Sequence, residues 1–152
     1  MTTKTQLFLL TWMEARTRFS NQLGSIQEGE LKKKLSDSPN SAGFLIRHIA
    51  DVELLFGKNV FGSNNIKVTA KTVIDKADLG EWTHLQELTD YVQYAFDSLK
   101  EAIESQTDED WEASIVTKEF GTRTKSEALG RIISHTAYHA GQLAIILKYG
   151  SV

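Results

Sequence analysis

Apolar residues recur along this chain with the 3.6-residue period of a helix, in four stretches of about 20 residues each. The first, over about 3–23, sets Phe8, Leu9, Trp12, Ala15, Phe19 and Leu23 on one broad stripe that also carries Arg16, and Gly24 supplies its stop. The second, over about 41–61, follows the turn and capping residues of 36–41 and turns Phe44, Leu45, Ile49, Val52, Leu55, Phe56 and Val60 inward. The third, over about 84–105, takes Thr83 as its cap and presents Leu85, Leu88, Tyr91, Val92, Ala95, Phe96, Leu99 and Ile103 to the core. The fourth opens on Thr124-Lys125-Ser126-Glu127, the pattern of a capping box, and runs to about Tyr149 with Gly150 beyond it. Its stripe is Leu129, Ile132, Ile133, Thr136, Ala140, Leu143 and Leu147.

The connections are uneven. Residues 25–38 are polar, and their triplet Lys32-Lys33-Lys34 reads as a solvated turn rather than an anion site. Residues 62–82 form a connection long for a compact domain, a candidate lid or partner surface, with Val68, Val73, Ile74 and Leu79 predicted to pack against the body. Residues 107–111 suggest a short capped turn anchored by Trp111, and 115–123 alternate around Gly121 like a small hairpin. Helices of about 20 residues are close to 30 Å long, the dimension of a four-helix bundle. The expectation is therefore an all-α, four-helix-bundle fold in one domain spanning 1–152. The unequal connections give no reason to assume a plain up-down-up-down order.

Composition narrows the chemistry. There is no cysteine, which removes disulfides, thiolate metal sites and cysteine nucleophiles together. Any metal must be held by imidazole, carboxylate and water, a donor set that suits zinc, nickel or iron(II). A formal charge of −3 offers no electrostatic reason to expect nucleic acid or a membrane surface as partner. No apolar run approaches the roughly 20 residues that span a bilayer, and the start lacks a signal-peptide layout, so a cytoplasmic protein is expected.

The candidate chemistry lies in the histidines. His135 and His139 stand four apart on the fourth helix, roughly 40° from one another around it, so both imidazoles can reach one point. The pair alone is a weak signal. His48, on the second helix between Phe44 and Val52, faces the core side, where a buried imidazole needs either a metal or a hydroxyl or carbonyl partner. If these two helices are neighbours, three neutral imidazoles converge with open positions left for water or substrate. His84, at the start of the third helix, reads as a surface residue. Gln142 falls about 20° from His135 around the helix and is the candidate for a contact to a ligand or to substrate. Asp51 and Glu53 lie about one turn from His48; Asp51 either orients an imidazole or acts as a base, or is simply a solvated acid. The sequence leaves open whether Trp12, Phe19 or the 62–82 connection forms a homodimer interface.

Three segments together resemble the DinB/YfiT-like family: Ser41-Ala-Gly-Phe-Leu-Ile-Arg-His48-Ile-Ala-Asp51-Val-Glu53, the capped start Thr124-x-x-Glu127-Ala128-Leu129, and His135-Thr-Ala-Tyr-His139-Ala-Gly141-Gln142-Leu143. The resemblance covers nearly the whole chain. It implies a four-helix bundle of unusual helix order, with His48, His135 and His139 holding a divalent metal, usually zinc or nickel. Where relatives often carry an arginine between the second histidine and Gly-Gln, this chain has Ala140. The resemblance further implies a metal-dependent enzyme acting on a small molecule, either a thiol S-transferase using a low-molecular-weight thiol or a hydrolase. The alternative is a non-catalytic metal-binding or regulatory bundle, dimeric in that case.

Overall fold

A computed structural model describes residues 3–152; residues 1 and 2, on which the reading of the amino terminus partly rests, lie outside them. Four long helices carry the fold: α1 (Lys4–Leu23), α2 (Ala42–Asn59), α4 (Leu85–Glu104) and α5 (Lys125–Tyr149), with a short α3 (Lys71–Asp75) between α2 and α4. The strands β1 (Ser114–Thr117) and β2 (Gly121–Thr124) pair as an antiparallel hairpin, with Ile115 opposite Arg123. Helix starts follow from side chains that satisfy free N–H groups. Thr3 and Thr124 each form a capping box, with Gln6 and Glu127, and the Ser41 hydroxyl accepts from the Phe44 N–H.

Each long helix touches two others. α1 lies beside α4 and α5, and α2 beside the same two, so α1 and α2 face one another across a diagonal, as do α4 and α5. Consecutive long helices are thus twice diagonal partners, and the order is not up-and-down. Two packed regions fill the interior, one around Phe19, Leu45, Ile49 and Leu143, the other around Trp12, Leu99, Trp111 and Ile132. No helix of the described residues is long and apolar enough to cross a membrane. Trp12 and Phe19 are each 1% exposed and belong to this interior, not to an outer face.

Across the α1–α2 diagonal runs a buried ion pair. Arg16 Nε and Nη2 donate to the two carboxylate oxygens of Glu53 at 2.7 and 2.9 Å, and Nη1 donates to Ser20 Oγ at 2.8 Å. The guanidinium also lies over Phe19 and Phe96, 5.2 and 5.0 Å from their ring centres. The two-point geometry and the third donor satisfy both charges where no water reaches them.

Several expectations are corrected. The third long helix begins at Leu85 and Thr83 does not cap it; His84 occupies the cap position without a side-chain bond, and Glu28 from the 25–38 connection accepts from the Leu85 N–H instead. The lysine triplet is not simply solvated. Lys33 Nζ donates to Glu30 and to the Leu147 carbonyl near the end of α5, and Lys34 exchanges backbone bonds with Ser151. These contacts clasp the carboxyl end. In the 62–82 connection Val68 and Val73 are half-buried, but Ile74 and Leu79 are about two-thirds exposed. Ile66, Ala70 and Thr72 are the residues it buries.

The reason is backbone geometry. Ala70 and Lys76, which bracket α3, both adopt left-handed φ values of 49° and 53°. For a residue with a Cβ that conformation costs roughly 1–2 kcal/mol. The reversal turns the Thr72 side of α3 onto α2 and leaves Ile74 outward. At the other end of the connection, the Trp82 carbonyl packs so close to Gly43 that a Cβ there would collide with it.

Removing one member of the diagonal pair strands the other charge. Glu53→Ala is expected to cost about 3–5 kcal/mol, because Arg16 stays buried without its counter-ion. Urea denaturation measures this, and a loss below about 1 kcal/mol would show that the pair is dispensable.

Candidate metal centre

α2 and α5 are neighbours, so the three histidines that periodicity placed on them come together. His135 and His139 have ring centres 4.5 Å apart, and His48 stands 5.1 and 4.9 Å from them. One ring nitrogen from each lies within 4.8 Å of the others. All three are half-buried, with Phe44 stacked on His48 and Tyr138 edge-on to His139. Tyr138 itself is exposed.

Hydrogen bonding decides which nitrogen of each ring faces inward. The Asp51 carboxylate can only accept, and Thr72 Oγ1 donates its proton to Asp51 Oδ2 at 2.7 Å. Thr72 Oγ1 must then accept at its other contact, so His48 Nδ1, 3.1 Å away, carries a proton. His48 Nε2 is left with a lone pair. Likewise His139 Nδ1 donates to Gln142 Oε1 at 2.6 Å, which leaves its Nε2 unprotonated. His135 Nε2 sits 3.2 Å from His48 Nε2, while His135 Nδ1 is buried with no partner.

These positions fit a small divalent cation. Two nitrogens about 2.0–2.1 Å from a tetrahedral metal are about 3.3 Å apart, close to the observed Nε2–Nε2 separation. Burial first, and then the neighbouring His139, lowers the pKa of His48 from 6.5 to about 4, with Asp51 opposing. Burial, then His139 and His48, lowers His135 to about 3. Burial also lowers His139, against the bond to Gln142. At neutral pH the cluster is three uncharged imidazoles, the protonation state that ligation requires.

Asp51 is not a solvated acid. It is fully buried, and donors occupy both its oxygens: Arg47 Nε at 3.0 Å and the Tyr91 hydroxyl at 2.7 Å on Oδ1, and the Thr72 N–H and hydroxyl at 3.1 and 2.7 Å on Oδ2. It has no lone pair turned to the cluster and reaches His48 only through Thr72. Glu53 is directed away, into the pair with Arg16. His84 is exposed, as expected. Gln142 stands where the helical wheel put it, bonded to His139.

Sequence reasoning missed Thr72, Tyr91 as a polar partner, and Arg47, whose guanidinium lies 3.5 Å from the Tyr91 ring centre and 4.6 Å from that of Trp82. One signal was available. The segment from Ala42 to Gly57 has almost no polar face, and a helix apolar all round is covered on every side, so its few charged residues require partners. Two recesses flank the cluster. A cleft of about 380 Å³ between Val52, Phe56, Arg131 and Tyr138 reaches His135, and a pocket of about 130 Å³ lies between Leu45, Gln142 and Ile146.

Comparison with known proteins agrees with this architecture. The DinB superfamily profile matches residues 11–143. A DinB-like protein from Bacillus cereus ATCC 10987, solved at 2.01 Å, is similar in structure with a TM-score of 0.74 at 19% identity, over 97% of this chain and 92% of that one. A mutant of the mycothiol-dependent maleylpyruvate isomerase gives a TM-score of 0.64 at 19% identity, over 94% of this chain and 63% of that one. No curated protein matches the sequence.

The lowered pKa values set a pH dependence. Folding moves His48 and His135 below the ordinary 6.5, so the unfolded chain takes up protons first as pH falls. Their contribution is full above about pH 6.5 and is lost as pH drops toward 4 and then 3. Chelator-treated protein is expected to lose urea stability between pH 6.5 and 5, above the range where most carboxylates titrate. A His48→Gln, His135→Gln double variant should lose much of that slope; an identical slope would contradict the assignment.

Proposed function

The chain belongs to the DinB superfamily, and on that premise we propose that His48, His135 and His139 bind one divalent metal ion for an enzyme that acts on a small molecule. Zinc or nickel suits the all-imidazole donor set, and iron(II) is the third candidate. The observation that carries this reading is the matched orientation of two rings. Thr72 holds the His48 proton on Nδ1 and Gln142 holds the His139 proton on Nδ1, so both Nε2 atoms keep a lone pair, that of His48 lying 3.2 Å from His135 Nε2.

The reaction we propose is transfer of a thiol to an electrophilic carbon, with hydrolysis as the variant in which water replaces the thiol. A divalent metal held there would lower the pKa of a thiol or water bound to it, supplying a nucleophile near neutral pH. The thiol proton passes to solvent and a carbon–sulfur bond forms as a carbon–halogen bond breaks and halide leaves, or as an epoxide carbon–oxygen bond breaks and the alkoxide takes a proton from solvent. The protein's own residues hold the geometry. The half-buried rings keep the three imidazoles neutral, and the cleft beside His135 offers Val52 and Phe56 as an apolar wall and Arg131 as a cation. With both oxygens engaged by donors, Asp51 acts on His48 only through Thr72, as a positioning residue. Support for a thiol over water comes from the fold shared with an isomerase that depends on mycothiol.

Chelator-stripped protein is expected to take up one equivalent of zinc or nickel per chain. Metal at 100 times its Kd should stabilise the fold by about 2.7 kcal/mol. His48→Ala and His139→Ala should each abolish stoichiometric uptake, read by elemental analysis; near-stoichiometric metal in those variants would sink the site. The loaded protein should then conjugate a low-molecular-weight thiol to an epoxide or chlorinated electrophile. Turnover that survives metal removal would count against the enzyme reading.

A further inference from the structure

Resting on the three-histidine reading, we propose that Thr72 is a positioning residue that makes metal loading depend on docking of the 62–82 connection. The connection was a candidate lid, yet its best-buried polar residue points inward. Thr72 is 3% exposed and bonds to Asp51 through both its N–H and its hydroxyl. A hydroxyl has one proton, and that proton is committed to an acceptor-only carboxylate. The remaining contact at His48 Nδ1 therefore has a fixed direction, from imidazole to hydroxyl. The chain Asp51–Thr72–His48 sets the tautomer of a ring that Asp51 itself does not touch.

The consequence follows from where Thr72 is attached. It does not belong to α2 or α5, which carry the histidines. It sits on α3, held by the left-handed residues Ala70 and Lys76 and flanked by ties to the body. These are the buried Ile66 on one side, and on the other Asp78, whose carboxylate accepts from the Ser41 N–H at 2.7 Å. With the connection docked, His48 offers Nε2. With it undocked, Nδ1 loses its acceptor, only the 3.2 Å contact with His135 Nε2 still bears on the tautomer, and a proton on His48 Nε2 closes that position to a cation. Gln142 does the same work for His139 from within α5, so only the His48 side is coupled to a separate segment.

The test uses the full chain with Thr72→Val, which removes the hydroxyl at nearly constant shape, and Thr72→Ser, which keeps it. Long-range proton–nitrogen NMR of chelator-treated protein reads the His48 tautomer directly. Competition with a chromophoric chelator reads zinc affinity. Wild type and Thr72→Ser should show His48 protonated on Nδ1, with zinc affinities within about threefold of each other. Thr72→Val should lose that tautomer preference and bind zinc about 10–100-fold more weakly. A wild-type His48 protonated mainly on Nε2 overturns the proposal without any variant, so a Thr72→Val chain that fails to fold does not shield it. Thr72→Val with unchanged tautomer and unchanged zinc affinity overturns it as well. Failure of the wild-type chain to take up metal would overturn the metal reading and the loading dependence with it. That failure is distinguishable, because the tautomer is read in metal-free protein.

Discussion

A carboxylate withdrawn from water has to recover in hydrogen bonds what it gave up in hydration, and the arrangement around the cluster grows from how Asp51 does so. Its four donors come from three parts of the chain: Arg47 one turn back on α2, Thr72 on α3, and Tyr91 on α4. Each is needed, because a buried acceptor left unmatched costs about 1–3 kcal/mol. Satisfying one side chain therefore pins α4 to α2, fixes the start of α3, and places Arg47 between the rings of Trp82 and Tyr91. The requirement also explains why a left-handed Ala70 is tolerated. The strain there is of the same order as one lost buried bond, and two bonds from Thr72 oppose it.

The diagonal pair of Arg16 and Glu53 plays a different part. Apolar stripes of similar width would let four helices pack in more than one order. A charged pair that meets only across α1 and α2 penalises every order that separates them, since each would leave a naked charge inside. Here the consecutive helices lie on a diagonal, and α2 becomes the neighbour of α5 as well as of α4. That adjacency is what brings His48 to His135 and His139.

Much of this was legible from the residues, and most of what was not has a common cause. Helix extents, the capping box at Thr124 and the face that each histidine takes follow from patterns among nearby positions, while the meeting of His48 with the other two also needed α2 beside α5. Gln142 was legible for the same reason, standing three residues from its partner. Thr72 and Tyr91 lie 21 and 40 residues from Asp51, and Arg16 lies 37 residues from Glu53, whereas Arg47, one turn from Asp51, was the local pair left unread. No local pattern records the distant pairs. Thr83 does not act as the cap because Glu28, 57 residues before Leu85, accepts from the Leu85 N–H group instead. Ile74 and Leu79 were misplaced because two left-handed residues turned α3 over, and neither alanine nor lysine advertises that conformation.

His135 differs from its two companions in having no partner at Nδ1. The other rings are each held from behind by a hydrogen bond at Nδ1, whereas this one meets only the His48 ring, Nε2 to Nε2 at 3.2 Å. His135 is accordingly the one of the three whose orientation no outer hydrogen bond fixes. It is also the ring that lines the larger of the two recesses, so the least constrained imidazole is the one an arriving molecule meets first.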